Sequence, residues 1–190
     1  MKIIVLTLPE KIDNEATKLV EILNNGVDKI HIRKKNCTQK EVVDLIKKIP
    51  KIYHQSLYIH YYKEILNQFP SINYHHSGDS LYDKNILAKQ TKSCHYLSEL
   101  KQNSSYEYNF ISPVFDSISK PGYLANIDLS SLKKYLYKHN LKNVVAMGGI
   151  NHQNIRYLKE LPLYGVALLG AVWYSNDPIT YIKNLKEKLV

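Results

Sequence analysis

The feature that most constrains this chain is an alternation. Short β-branched runs take turns with longer amphipathic stretches, and Gly or Pro falls at the joins. Ile3 to Leu8 reads as a strand. Residues 14–25 read as a helix, with Ala16, Leu19, Val20 and Leu23 at three- and four-residue spacing and Gly26 just past its end. Lys29-Ile30-His31-Ile32-Arg33 alternates strictly, so His31 and Arg33 share one face of a strand while Ile30 and Ile32 share the other. Thr38 with Glu41 predicts a capping box, followed by an apolar stripe of Val42, Leu45, Ile46 and Ile49 that Pro50 stops. The same reading puts later strands at 57–60, 72–76, 92–95, 106–111, 143–147 and 163–169. Helical segments fall at 62–68, 83–90, 97–102, 129–138 (capped by Asp128) and 151–161, and Asp177-Pro178 opens a last one.

Strands that alternate with helices in this way argue for a parallel sheet, and eight β/α pairs are the number that closes a barrel. The expectation is an α/β protein, a short and minimal (β/α)8 TIM barrel, with residues 1–190 as its single domain. A doubly wound open sheet is the alternative. At 190 residues the helices must be short and insertions few.

Charge narrows the function. The formal net charge is +9, from 26 Lys+Arg against 17 Asp+Glu, but the lysines are scattered along helical faces with no block of like charge. That pattern suits steering of a small anion better than a nucleic-acid surface. The first apolar run is too short for a signal-peptide core, and no stretch approaches the roughly 20 apolar residues that cross a bilayer. Two cysteines, Cys37 and Cys94, lack metal-type spacing and fit free thiols. The expectation is a soluble, cytoplasmic protein without nucleic-acid or membrane partners.

In such a barrel the chemistry sits at the carboxyl ends of the strands. Reading those ends in order collects His31, Arg33 and Lys35, then His60, His75 and His76, then Ser93 and His95. The loop 112–123, Gly148-Gly149 and Gly170 follow. Polar and cationic groups therefore gather where an anion would bind. Any single histidine here reads better as interior filling that hydrogen-bonds its neighbours. Gly148-Gly149-Ile150 before Asn151, and Gly170-Ala171 after the eighth strand, have the form of two phosphate cradles at successive strand ends. Ser117 and Ser119, followed by Lys120, add hydroxyls and a charge suited to phosphate oxygens.

These segments resemble the thiamine-phosphate synthase and TenI-like thiazole tautomerase superfamily of (β/α)8 barrels. Residues 112–120, reading S-P-V-F-D-S-I-S-K, are similar to its G-P-V-F-x-T-x-T-K loop. Val145 to Ile150 with Asn154 resembles V-A-I-G-G-I-x-x-x-N, and residues 165–172 resemble G-V-A-V-x-S-A-I. Ser93-Cys94-His95 and residues 31–35 resemble S-x-H and Q-L-R-x-K. The resemblance implies a transferase that couples an aminopyrimidine methyl diphosphate to thiazole phosphate with release of pyrophosphate, assisted by Mg²⁺. It implies catalytic roles for Arg33, Lys35 and Lys120, substrate contacts at His31, Ser93, Ser117, Ser119, Gly149 and Gly170, and a metal carboxylate at Asp79. It leaves a homodimer open.

Several further positions depart from the family pattern. His60-Tyr61 stands where an N-D pair supplies a metal carboxylate, His31 replaces the Gln, Gly170 replaces a Ser, and Pro113 stands where the tautomerase branch has its catalytic His. The other readings are a metal-free thiazole tautomerase, a non-catalytic thiazole-phosphate binder, and a transition-metal centre built from His31, His60, His75 or His76, and His95.

Overall fold

Eight strands pair in sequence order, all parallel: β1 (Lys2–Leu6), β2 (Lys29–Ile32), β3 (Leu57–His60), β4 (Asn73–His76), β5 (Gln90–Cys94), β6 (Tyr108–Ile111), β7 (Val144–Met147) and β8 (Gly165–Leu168). The sheet closes where Lys2 to Val5 of β1 register with Gly165 to Leu168 of β8. The computed structural model describes every residue except Asp79, Ser104, residues 119–121, Tyr123 and Val190. The expected (β/α)8 barrel is therefore present, and the open sheet is not.

Helices lie outside the barrel: α1 (Glu15–Asn24), α2 (Gln39–Lys47), α3 (Ile65–Gln68), α4 (Leu97–Gln102), α5 (Leu129–Lys138), α6 (Gly170–Trp173) and α7 (Pro178–Glu187). Thr38 closes the capping box with Glu41, and Asp128 and Asp177 cap α5 and α7 through their side chains. No described helix is long and apolar enough to cross a membrane.

Two expected helices did not form. Residues 83–90 contain only a turn, because Gln90 begins β5 and its side-chain amide donates to the carbonyls of Asp83 and Ile86 at 2.9 and 3.2 Å. Residues 151–161 hold one 3-10 turn, Ile155–Leu158. Asn151 instead makes an Asx turn, accepting from the amides of Gln153 and Asn154 at 2.8 and 3.2 Å. Periodicity alone cannot see such side-chain competition for backbone groups.

The core has two compartments. One lies between sheet and helices, where Leu19, Ile32, Ile46, Ile59, Leu136 and Leu185 are buried together. The other fills the barrel, with Ile4, Leu6, Tyr58, Tyr108, Phe110, Val145 and Ala167. Barrel interiors of this kind are usually filled by branched aliphatic side chains. Here the alternation of β2, β3, β4 and β6 instead stacks His31, Tyr58, His60, His75, Tyr108 and Phe110 into one aromatic and polar filling.

Candidate active site

A cavity of about 450 Å³ opens at the carboxyl end of the strands. Arg33 reaches it from the end of β2, His60 from β3, and Ser93 from β5. The loop after β6 contributes Ser112, Pro113 and Ser117, the loop after β7 Gly148 and Gly149, and the start of α6 Gly170 and Ala171. Its volume and mixed lining suit a small polar ligand.

The glycine pair is explained by close packing. Gly148 and Gly149 have φ of +103° and +64°, and a Cβ on Gly149 would sit 2.2 Å from the Asp116 carbonyl oxygen. The two loops are laced together by Val114 N–H donating to Met147 O at 3.0 Å and Phe115 N–H to Gly148 O at 3.2 Å. Asn154 holds the turn from below, accepting from the Asn151 amide at 2.8 Å and donating to Gly149 O at 2.9 Å. Only a residue without a side chain fits at this crossing, and the tight turn brings its backbone to the cavity. After β8, the first amides of α6 are groups that no intrahelical bond reaches.

Arg33 is held by its own backbone, whose amide donates to the Thr7 hydroxyl at 2.9 Å. Among the described residues no carboxylate pairs with its guanidinium, and no carboxylate lines the cavity. The wall is therefore cationic and hydrogen-bonding.

Five residues implied by the resemblance, Arg33, Ser93, Ser117, Gly149 and Gly170, meet in this one cavity. Two others do not. Lys35 is exposed and outside the lining, because β2 ends at Ile32 and the following residues turn back to the β1 loop, where Asn36 N–H donates to Pro9 O at 3.0 Å. Its neighbour Lys34 is buried in an ion pair with Glu15 at 2.5 Å. His31 is fully buried below the cavity floor rather than lining it. Asp79, Ser119 and Lys120 lie outside the described residues.

His31 is occupied on both sides. Its Nδ1 meets His60 Nε2 at 3.0 Å and its Nε2 meets the Tyr108 hydroxyl at 2.7 Å. His75 likewise bonds Thr91 Oγ1 and Ser93 Oγ, both at 2.8 Å. Burial is the main cause that drives the pKa of His31 and His60 well below the ordinary value and that of His75 down to about 3, so all three are neutral. His76 points to the other face of β4, where Nε2 meets Gln90 Oε1 at 2.8 Å, and His95 sits exposed at the mouth. The expected four-histidine centre thus separates into an interior trio and two outliers. Sequence reading passed over Tyr58 and Tyr108, although each is two residues before an interior group, His60 and Phe110, on an alternating strand.

Comparison with known proteins places this geometry. Residues 3–172 match the family described as thiamine monophosphate synthase (TMP-TENI). A thiamine-phosphate synthase of Methanococcus vannielii is 26% identical over 197 residues, covering 98% of this chain and 94% of that protein. The crystal structure of a thiamine phosphate pyrophosphorylase from Bacteroides thetaiotaomicron superposes with a TM-score of 0.85 at 24% identity, over 99% of this chain and 97% of that one. One from Pyrococcus furiosus gives 0.82 at 21% identity, over 99% and 95%.

Proposed function

Since the chain belongs to the thiamine monophosphate synthase family, we propose that its cavity joins an aminopyrimidine methyl diphosphate to thiazole phosphate and releases pyrophosphate. The observation that carries this reading is the convergence of Arg33, Ser93, Ser117, Gly149 and Gly170, from five separate strand ends, on one cavity. Arg33 and Ser93 line the cavity and would hold the diphosphate, whose charge grows as the bond to carbon breaks. Ser117, Gly149 and Gly170 would hold the thiazole phosphate on the far loops. By position in the family pattern, Ser119 would join the phosphate contacts and Lys120 and Lys35 the cationic set. Orientation of two bound phosphate esters and stabilisation of a leaving diphosphate are what such a wall supplies.

Mg²⁺ is the ion that the resemblance implies. The described lining offers hydroxyls, imidazole and backbone but no carboxylate, and imidazole is a poor partner for this hard cation. These residues alone do not fit the ion. Asp79 is the carboxylate that the family pattern offers. At the tautomerase's catalytic position, Pro113 lines the cavity and has no proton to exchange. The free thiols Cys37 and Cys94 suit a reducing compartment, and we assign the reaction to the cytoplasm.

The test is to incubate the protein with both substrates, with and without Mg²⁺, and to measure thiamine phosphate and pyrophosphate. Thiazole phosphate at a hundredfold excess over its Kd should also stabilise the fold by about 2.7 kcal/mol. Absence of both product and thermal shift overturns the reading. A shift without product leaves a binder.

A further inference from the structure

We propose that Tyr61, held at the cavity by a strained turn after β3, is the platform on which the heterocycle of the diphosphate substrate stacks. The identity of that heterocycle rests on the proposed function, while the turn and the ring stand on the geometry alone.

The starting observation is a backbone outlier. Tyr61 has φ of +70°, in the left-handed region where an L side chain crowds the neighbouring carbonyl. Among the described residues two other non-glycine residues share that region, Asn14 and Asn140, and asparagine is a residue type that tolerates it. A bulky aromatic residue does not. The turn is tight: Tyr62 N–H donates to His60 O at 2.9 Å, and Lys63 N–H to Tyr61 O at 3.1 Å. A three-residue turn around a positive φ is the rare and strained kind. Here β3 fixes one end, with His60 in register with His75, and the buried Ile65 at the start of α3 fixes the other. Strain held in this way is concentrated at ligand sites.

The core does not explain the ring. Tyr62, the next residue, packs on the core and donates its hydroxyl to Cys37 O. Tyr61 is instead 39% exposed, and its hydroxyl has no hydrogen-bond partner among the described residues. Its ring neighbour is His60, 6.1 Å away between centroids with 56° between planes. Both residues line the cavity, so together they form an angled aromatic wall on its β3 side.

Position selects the ligand. Strand ends follow sequence order around the mouth, which sets Tyr61 between Arg33 at the end of β2 and Ser93 on β5. The proposed function gives that half to the diphosphate, and gives the loops after β6, β7 and β8 to the thiazole phosphate. A flat ring one carbon away from a diphosphate on Arg33 and Ser93 then falls against this wall. An aminopyrimidine is electron-poor, and the face of a phenol ring is electron-rich, so the two stack favourably. Pyrophosphate has no ring and gains nothing from Tyr61. The residue therefore sets selectivity for the heteroaromatic substrate over bare phosphates.

The experiment separates the ring from the diphosphate. At constant Mg²⁺, calorimetric titration measures Kd for pyrophosphate and for a diphosphonate analogue of the pyrimidine substrate, in which CH₂ replaces the leaving oxygen. The ratio of the two Kd values reports the contribution of the heterocycle without turnover. Tyr61→Phe keeps the aromatic face and should keep that ratio within about twofold. Tyr61→Leu, apolar without an aromatic face, and Tyr61→Asn, which suits the backbone, should each lower it about tenfold, or 1.4 kcal/mol, by weakening the analogue alone. In turnover both should raise KM for the pyrimidine diphosphate about tenfold, with kcat and KM for thiazole phosphate unchanged, the mark of lost uniform binding. Tm of Tyr61→Asn should stay within about 4 °C of the unaltered protein, since relief of the left-handed backbone offsets the lost ring contacts. The proposal is overturned by an unchanged ratio in Tyr61→Leu and Tyr61→Asn, by an equal loss in Tyr61→Phe, by a parallel loss of pyrophosphate affinity, or by a larger fall in Tm. It is also overturned if the unaltered protein does not prefer the analogue to pyrophosphate. If the ratio falls as expected but no coupling is catalysed, the proposed function fails and this inference stands.

Discussion

Gly149→Ala tests whether the crossing of the β6 and β7 loops holds the cavity together. Two costs are expected. At φ +64° a non-glycine residue costs roughly 1–2 kcal/mol. The new methyl would also lie 2.2 Å from Asp116 O and 2.8 Å from the Phe115 carbonyl carbon, both backbone atoms that cannot rotate away. Forcing them apart is overpacking, worth a further ~1–3 kcal/mol. At roughly 2–4 °C per kcal/mol for a chain of this size, Tm should fall by about 4–20 °C. Gly78→Ala is the control: φ is +58° but no atom of the described residues lies within 4 Å of its Cβ, so only the conformational cost remains, about 2–8 °C. Thermal denaturation of both variants, with thiazole phosphate added in a second series, separates the two costs. The Phe115–Asp116 segment leads to Ser117, so Gly149→Ala should also weaken the ligand-induced shift. Equal Tm losses in the two variants would refute the packing argument.

Three other outcomes are expected. His31, His60 and His75 have pKa values below their unfolded value of 6.5, so between the two the unfolded chain binds more protons. Stability is then complete above about pH 6.5 and lost as pH falls, by up to about 4 kcal/mol per pH unit for the trio. Urea denaturation that is flat from pH 7 to pH 5 would refute this. Lys34 and Glu15 are 2% and 3% exposed at 2.5 Å, so Glu15→Gln should cost about 3–5 kcal/mol by stranding a buried charge. Pairing Lys34→Met with Glu15→Leu should recover much of it in the same denaturation assay. Asp79→Asn should abolish coupling while thiazole phosphate still raises Tm, and full turnover in EDTA would exclude a Mg²⁺ role.

Much of the barrel was legible because its signals are local. The Thr38–Glu41 box and the Asp177-Pro178 start each depend on neighbours a few residues away and formed as read, and the alternation at 29–33 located β2 to within one residue. Gly149 and Gly170 were findable for the same reason, since strand ends of a closed barrel share one face. The failures came where a side chain out-competed the helix for backbone groups, as Gln90 did at 83–90, or where a strand ended one residue early, as β2 did before Arg33 and Lys35. Period-two patterning put His31 inside but could not say at what depth. Depth depends on the barrel's stagger, which places His31 beside Tyr58 and Phe110 and beneath His60. Composition and order along the chain determined that eight β/α units would close and that cationic and glycine-rich loops would meet at one end. Only the closed sheet decided which histidines touch. Hydrogen-bond partners 29 and 77 residues apart, His31 with His60 and with Tyr108, are set by register across strands, and no local pattern encodes that register.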